Sequence, residues 1–290
     1  MKGKSIIEVL IVFGLTTLLT WWLNAEFMRL QLDSEVRRWL GGAVFIAISL
    51  VVISLTRKPW AEYGLTRRDW RLHLDVGMLA FLASFITLGT LFALILLNVD
   101  YNSWAGAVPL AVAAMVATAV LLAVLNRQDT KDPSGQRRRS KARTNLIVLG
   151  GLLLLPIGLS ILMGRFSWAI VSTVAWQFIV SGFGEELRFR GYYQSRVNQE
   201  FGQPWQVLGV RFGPGLIIAS ALFGLVHAFN TFNPLAGLYE PAWAWAFWTF
   251  FGGLFFGLIR ERTNTLVAPT IAHGGPDAVG EALGMLFGWR

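Results

Sequence analysis

The stretch FSWAIVSTVAWQFIVSGFGEELRFR, residues Phe166–Arg190, decides how the chain is read. It begins as an apolar run, Phe166 to Gly184, long enough to cross most of a bilayer as helix. It then turns without warning into Glu185, Glu186, Arg188 and Arg190. Ionisable side chains at membrane depth cost several kcal/mol unless paired or hydrated, so they are retained mainly where they have work to do. A solvated helix end near the membrane edge is the plain alternative for this one run.

The same apolar pattern recurs on both sides. Stretches near 20 residues lie at Ile6–Trp22, Leu40–Leu55, Leu74–Leu97, Trp104–Leu125, Leu146–Met163, Pro214–Asn230, Ala242–Ile259 and Leu266–Leu286. The chain is 54% hydrophobic and only 14% charged, with a mean hydropathy of +0.54; soluble domains carry about 25% charged residues. The expected fold is an all-α polytopic membrane protein, a bundle of about nine transmembrane helices (eight to ten).

Basic residues orient that bundle. With the N-terminus on the cytoplasmic side, 20 of the 25 Lys and Arg fall on inner segments, which the positive-inside rule favours. Trp21, Trp22, Trp39, Trp104, Trp168 and Trp243 then mark outer edges, and Trp60, Trp70 and Trp205 inner ones. The net charge of +8 reads as topology and attraction to anionic membrane lipid, not as nucleic-acid binding. The absence of cysteine excludes disulfides, thiolate metal sites and thiol nucleophiles. Lys2 and Lys4 ahead of an apolar stretch imitate a signal peptide, but Glu8 interrupts it and no small-x-small cleavage site follows, so a retained first helix is expected.

One linker is evident, the polar and basic Arg127–Thr144 with Pro133-Ser134-Gly135, expected as a mobile cytoplasmic loop. It divides N-terminal helices (1–126) from a C-terminal bundle (145–290). Trp60 to Leu72 reads as interfacial. Glycines four apart, Gly253/Gly257 and Gly280/Gly284/Gly288, should allow close helix packing.

Three polar exceptions in that second half carry the chemistry. Glu186 and Arg190 are four apart and can pair on one helix face, while Glu185 points about 100° away. Phe223 and His227 share a face of an otherwise apolar helix. His273 and Asp277 are one turn apart in the last helix, with Glu281 a further turn on, as a polar stripe expected to face the bundle. A lone histidine in such a helix is more often a packing residue, and a polar stripe more often a helix contact. The three together, in order, are much harder to explain that way.

EExxxR, FxxxH and HxxxN/D in this order resemble the CPBP family of CAAX prenyl proteases and bacteriocin-processing enzymes. Arg190-Gly191-Tyr192 and Arg262-Thr263-Asn264-Thr265-Leu266-Val267-Ala268-Pro269 extend the likeness, which covers roughly Phe166 to Phe287. It implies an intramembrane endopeptidase core at 166–287 that acts on membrane-proximal or lipidated peptides. By it Glu185 is the general base on a water that His227 helps orient, and His273 and Asp277 stabilise the oxyanion. Glu186, Arg190 and Phe223 support the site, with no cofactor and no metal. Asn is the commoner residue at the place of Asp277, so this carboxyl must be neutral or must orient His273. A prokaryotic plasma membrane is the expected location, with the cavity open to the cytoplasm. Partners are membrane lipid and a peptide or protein substrate. Other readings are a non-catalytic immunity or scaffold protein of the same family, a proton-coupled transporter, and a zinc hydrolase using Glu185, His227 and His273.

Overall fold

The structure, a computed structural model, describes residues 3–130 and 140–288. Long helices dominate: α1 Lys4–Arg29, α2 Ser34–Leu55, α3 Trp70–Leu96, α4 Trp104–Thr130, α5 Ala142–Leu162, α8 Pro214–Ala228, α9 Trp243–Thr263 and α10 Val267–Phe287, with α6 Trp168–Trp176 and α7 Ser195–Phe201 completing the set. Each of the nine apolar stretches is helical. Six helices, α1 to α5 and the segment from Pro214 to Thr231, are long and apolar enough to cross a membrane by length and composition. This is an all-α polytopic membrane protein. Two short antiparallel hairpins interrupt it, β1 Trp205–Val207 with β2 Val210–Phe212, and β3 Phe232–Asn233 with β4 Leu238–Tyr239.

Local chemistry sets the boundaries. Asp33 accepts from the amides of Glu35 and Val36 to start α2, and Ser167 accepts from Ala169 to start α6. Pro214 opens α8, where a missing N–H costs nothing. Gly288, at φ +70°, closes α10. Between α6 and α7 the chain does not follow the expected α-geometry. Gln177–Glu185 and Leu187–Gln194 are wound as π-helix, a form concentrated at functional sites.

The helices give the bundle two ends. At one, the Leu266 amide donates to the Gly64 carbonyl, the Ser140 hydroxyl donates to the Arg71 carbonyl, and Glu200 of α7 accepts from the amides of Gly3 and Ser5 at the start of α1. At the other, Trp21 packs on Phe229 and Phe232, Trp104 on Phe247, and Arg165 reaches the Leu286 carbonyl. The linker read from Arg127 to Thr144 is helical at both flanks, since α4 runs to Thr130 and α5 starts at Ala142; residues 131–139, with Pro133-Ser134-Gly135, lie outside the described residues.

Helix contacts place the site. α10 packs against α3 and the π-helical stretch, while α8 packs on α9 and along Leu187–Gln194. Gly182 and Gly274 meet backbone to backbone: a Cβ on Gly182 would come within 2.6 Å of Gly274 Cα. Gly253 and Gly257 press α9 onto Ser220 and Leu216 of α8, as their spacing suggests, whereas a Cβ at Gly280 would meet only an ordinary contact at 3.5 Å.

Candidate active site

The Gly182–Gly274 crossing brings two polar groups of residues together. Glu186 is fully buried, and its Oε1 accepts from Arg190 Nη1 and from His273 Nδ1, each at 2.9 Å. Arg190, equally buried, also donates through Nη2 to the Gly253 carbonyl of α9 at 3.1 Å and lies 4.3 Å from the centroid of the Phe223 ring. A carboxylate that accepts from Nδ1 fixes the imidazole so that Nε2 points the other way. His273 Nε2 faces Glu185 Oε2 at 3.8 Å and Asp277 Oδ2 at 3.4 Å. Three groups with lone pairs cannot share that space without a proton among them.

The aromatic rings hold the imidazoles in place. Phe256 stacks on His273, 4.5 Å between centroids and 16° apart, and Phe223 meets His273 edge-on at 5.7 Å. The other side of Phe223 touches the His227 ring at 4.6 Å. His227 Nδ1 donates to the Phe223 carbonyl at 2.7 Å, which leaves Nε2 of the neutral ring as an acceptor.

The two neighbouring glutamates therefore differ. Glu186 is tied down by two cations or potential cations. Glu185 Oε2 is buried and accepts no hydrogen bond among the described residues, though its side chain as a whole is 21% exposed. Asp277 is 43% exposed and accepts from Ser181 Oγ at 3.4 Å. Glu281 departs from the expected inward stripe: it lies at an exposed position.

Exposure is uneven. From Glu186 to Ser195 every residue is buried, sealed further by Tyr63 and Arg260. Arg188 closes this side against α2, donating to the Phe45 carbonyl at 2.9 Å and to Ser49 Oγ at 3.2 Å. Within the cluster Asp277 is the most exposed of the carboxyls, and Arg190 is fully buried.

All seven residues singled out in the sequence lie in or against this cluster: Glu185, Glu186, Arg190, Phe223, His227, His273 and Asp277. Sequence reasoning missed Ser181, four residues before Glu185, and Phe256. It also missed the second partner of Glu186, since His273 lies 87 residues away.

Residues 167–279 match the model of the family described as type II CAAX prenyl endopeptidase Rce1-like. These residues form a domain of the CPBP, or CAAX protease, family. The match spans all three motifs. No curated protein and no solved structure matches the chain. An integral membrane protein with a CAAX-type intramembrane protease domain is thus the frame for its chemistry.

Proposed function

We propose that the protein is a glutamate-type intramembrane endopeptidase, hydrolysing membrane-proximal or lipidated peptides with a water activated by Glu185. The observation that carries this reading is the contrast between adjacent carboxylates: each has a buried Oε2 that accepts nothing, but Glu186 is fully buried with its Oε1 engaged by Arg190 and His273, whereas Glu185 is 21% exposed. A base must have an available lone pair beside the reacting atoms. The Glu185 carboxylate takes a proton from water as the water oxygen bonds to the peptide carbonyl carbon, and the carbonyl π pair moves onto oxygen. His227 Nε2 accepts from the same water and so orients it. His273, protonated at both nitrogens and held through Nδ1–H by Glu186, turns Nε2–H toward the oxyanion, and a neutral Asp277 donates beside it. As the tetrahedral species collapses, the proton on Glu185 passes to the leaving nitrogen and the C–N bond breaks, giving a new carboxyl and a new amine.

The reaction needs no metal in this scheme. Among the described residues, no group of three His, Cys, Asp or Glu is placed to hold one. Purified protein is expected to keep its peptidase rate after treatment with a strong chelator, and Glu185→Gln and His227→Ala are each expected to abolish cleavage while the protein stays folded. Full turnover by Glu185→Gln removes the assigned base, and activity that disappears with chelation and returns with zinc transfers the chemistry to a metal.

A further inference from the structure

We propose that Phe256 is a positioning residue for the His273 imidazole, so that α9, which carries none of the three motifs, is part of the catalytic machinery. This rests on the protease reading and deepens it. The face of one ring, not its bulk, keeps His273 Nε2 aimed at the reacting atoms.

Without Phe256, His273 is fixed at two points. Its Cβ is held by α10, and its Nδ1 by Glu186 Oε1 at 2.9 Å. Two points define a line, and a ring fixed at both can still swing about that line. Nε2 lies off it, so a swing would carry Nε2 away from Glu185 Oε2 and Asp277 Oδ2, which stand 3.8 and 3.4 Å away. A hydrogen bond to one carboxylate oxygen does little to stop this, because the preferred directions at the acceptor are broad. A contact against the flat of the ring does.

Phe256 supplies that contact. Its ring stacks on the imidazole with 4.5 Å between centroids, 16° from parallel. The other aromatic contacts of the two site histidines are steeply inclined: Phe223 meets His273 at 81° and His227 at 60°, and Trp245 meets His227 at 62°. A ring that only filled space could take any inclination. Parallel stacking sets an imidazole that is charged in the proposed reaction over the electron-rich face of the benzene ring.

α9 is itself held in register with the site. Three residues before Phe256, the Gly253 carbonyl accepts from Arg190 Nη2 at 3.1 Å, which sets the height of α9 against the Glu186–Arg190 pair. Gly253 and Gly257, on either side of Phe256 along the helix, leave no room for a Cβ: one would meet Ser220 Cβ at 2.9 Å and the other Leu216 Cδ1 at 2.3 Å. Phe223 meets the Phe256 ring edge-on, at 6.4 Å and 86°, and Arg190 Cζ lies 5.3 Å from its centroid. Trp245 stands about three turns earlier on the same face of α9, against His227.

The test separates ring from bulk. Phe256→Leu and Phe256→Met keep an apolar side chain of similar size without a ring, whereas Phe256→Tyr and Phe256→Trp keep a flat aromatic face. The Leu and Met variants are expected to lower kcat by about 10- to 100-fold, the effect of a small misplacement of a reacting group, with KM and melting temperature little changed. At least one of the aromatic variants should keep most of the rate. A second readout needs no turnover: the Nδ1–H proton of His273, bonded to the Glu186 carboxylate, gives a far-downfield NMR signal, assigned by its loss in His273→Gln. That signal should persist in the active aromatic variant, and exchange away or move upfield in the Leu and Met variants. The proposal is overturned if Leu or Met keeps the rate, if neither aromatic variant does, if the loss is in KM or runs in step with melting temperature, or if the signal is the same in all four variants. A Glu185→Gln variant that still cleaves would end the protease reading, and the Nδ1–H signal would still decide whether Phe256 positions the ring.

Discussion

The two halves of the cluster, one turn apart on the same helix, are built on opposite principles. The half formed by Glu186, Arg190 and the Gly253 carbonyl is dry: two fully buried charges compensate each other, and His273 joins them. The half formed by Glu185, Ser181 and Asp277 is partly exposed and incompletely paired. A buried charge pair is weak evidence for net stability, but removing one partner strands the other. An available lone pair, by contrast, costs folding energy and gains chemistry. The first half is expected to hold the second in position, so their variants should fail in different ways.

The largest effect is expected from Glu186→Gln. It leaves Arg190 and His273 without their carboxylate, and breaking such a buried pair costs about 3–5 kcal/mol. Thermal unfolding in detergent should show the loss along with reduced peptidase rate; an unchanged melting temperature would mean that the dry half is not a support. Asp277→Ala should spare stability and lower turnover by about 10²–10³-fold, as for one lost oxyanion donor. Asp277→Asn should keep activity and flatten any alkaline fall, since a neutral carboxyl donor is present at low pH and lost as pH rises. If Asn is as damaging as Ala, Asp277 works as a carboxylate and the contrast between the halves must be redrawn.

Smaller effects refine the boundary. Ser181→Ala removes one long hydrogen bond to Asp277 and should slow turnover by about twofold to tenfold with little change in melting; an effect as large as that of Asp277→Ala would place Ser181 itself at the reacting atoms. The smallest is expected at the α1 tether. Hydrogen bonds from Ser5 and Gly3 pull the Glu200 carboxyl down to about 2 from its ordinary 4.5. A depressed carboxyl contributes above its unfolded value and is lost as pH falls toward the folded one. Protection of the Ser5 amide, its exchange measured against the intrinsic rate at each pH, should therefore fall between about pH 4.5 and 2. Glu200→Gln should show low protection at every pH, with peptidase activity unaffected.

Much of this was legible in the chain. Apolar lengths gave the helices, since a bilayer imposes about 20 residues on each span. The Glu186–Arg190 pair follows from a spacing of four, because neighbouring turns of one helix fix that geometry locally. What could not be read depends on which helix lies against which. The hydrogen bond from His273 to Glu186 needs the Gly182–Gly274 crossing, and neither glycine announces its partner. Ser181 is an ordinary small residue until Asp277 is seen beside it. Glu281 fits the four-residue stripe of His273 and Asp277 but lies at an exposed position, although Ala282 and Leu286 beyond it are buried. The π-winding has no signature in composition, and it shifts the angular positions that α-helical spacing assigns to Glu185 and Glu186.

The contact between Gly182 and Gly274 also sets a reach. A Cβ on Gly182 would come within 2.6 Å of Gly274 Cα, and one on Gly274 within 2.9 Å of Gly182 Cα and 3.0 Å of Phe178 Cα. His273 is the very next residue in sequence, and its Nδ1 lies 2.9 Å from Glu186 Oε1. A methyl group at either glycine would hold the two backbones apart where the imidazole must span the gap between them. The alignment of His273 with both glutamates thus rests on two missing side chains.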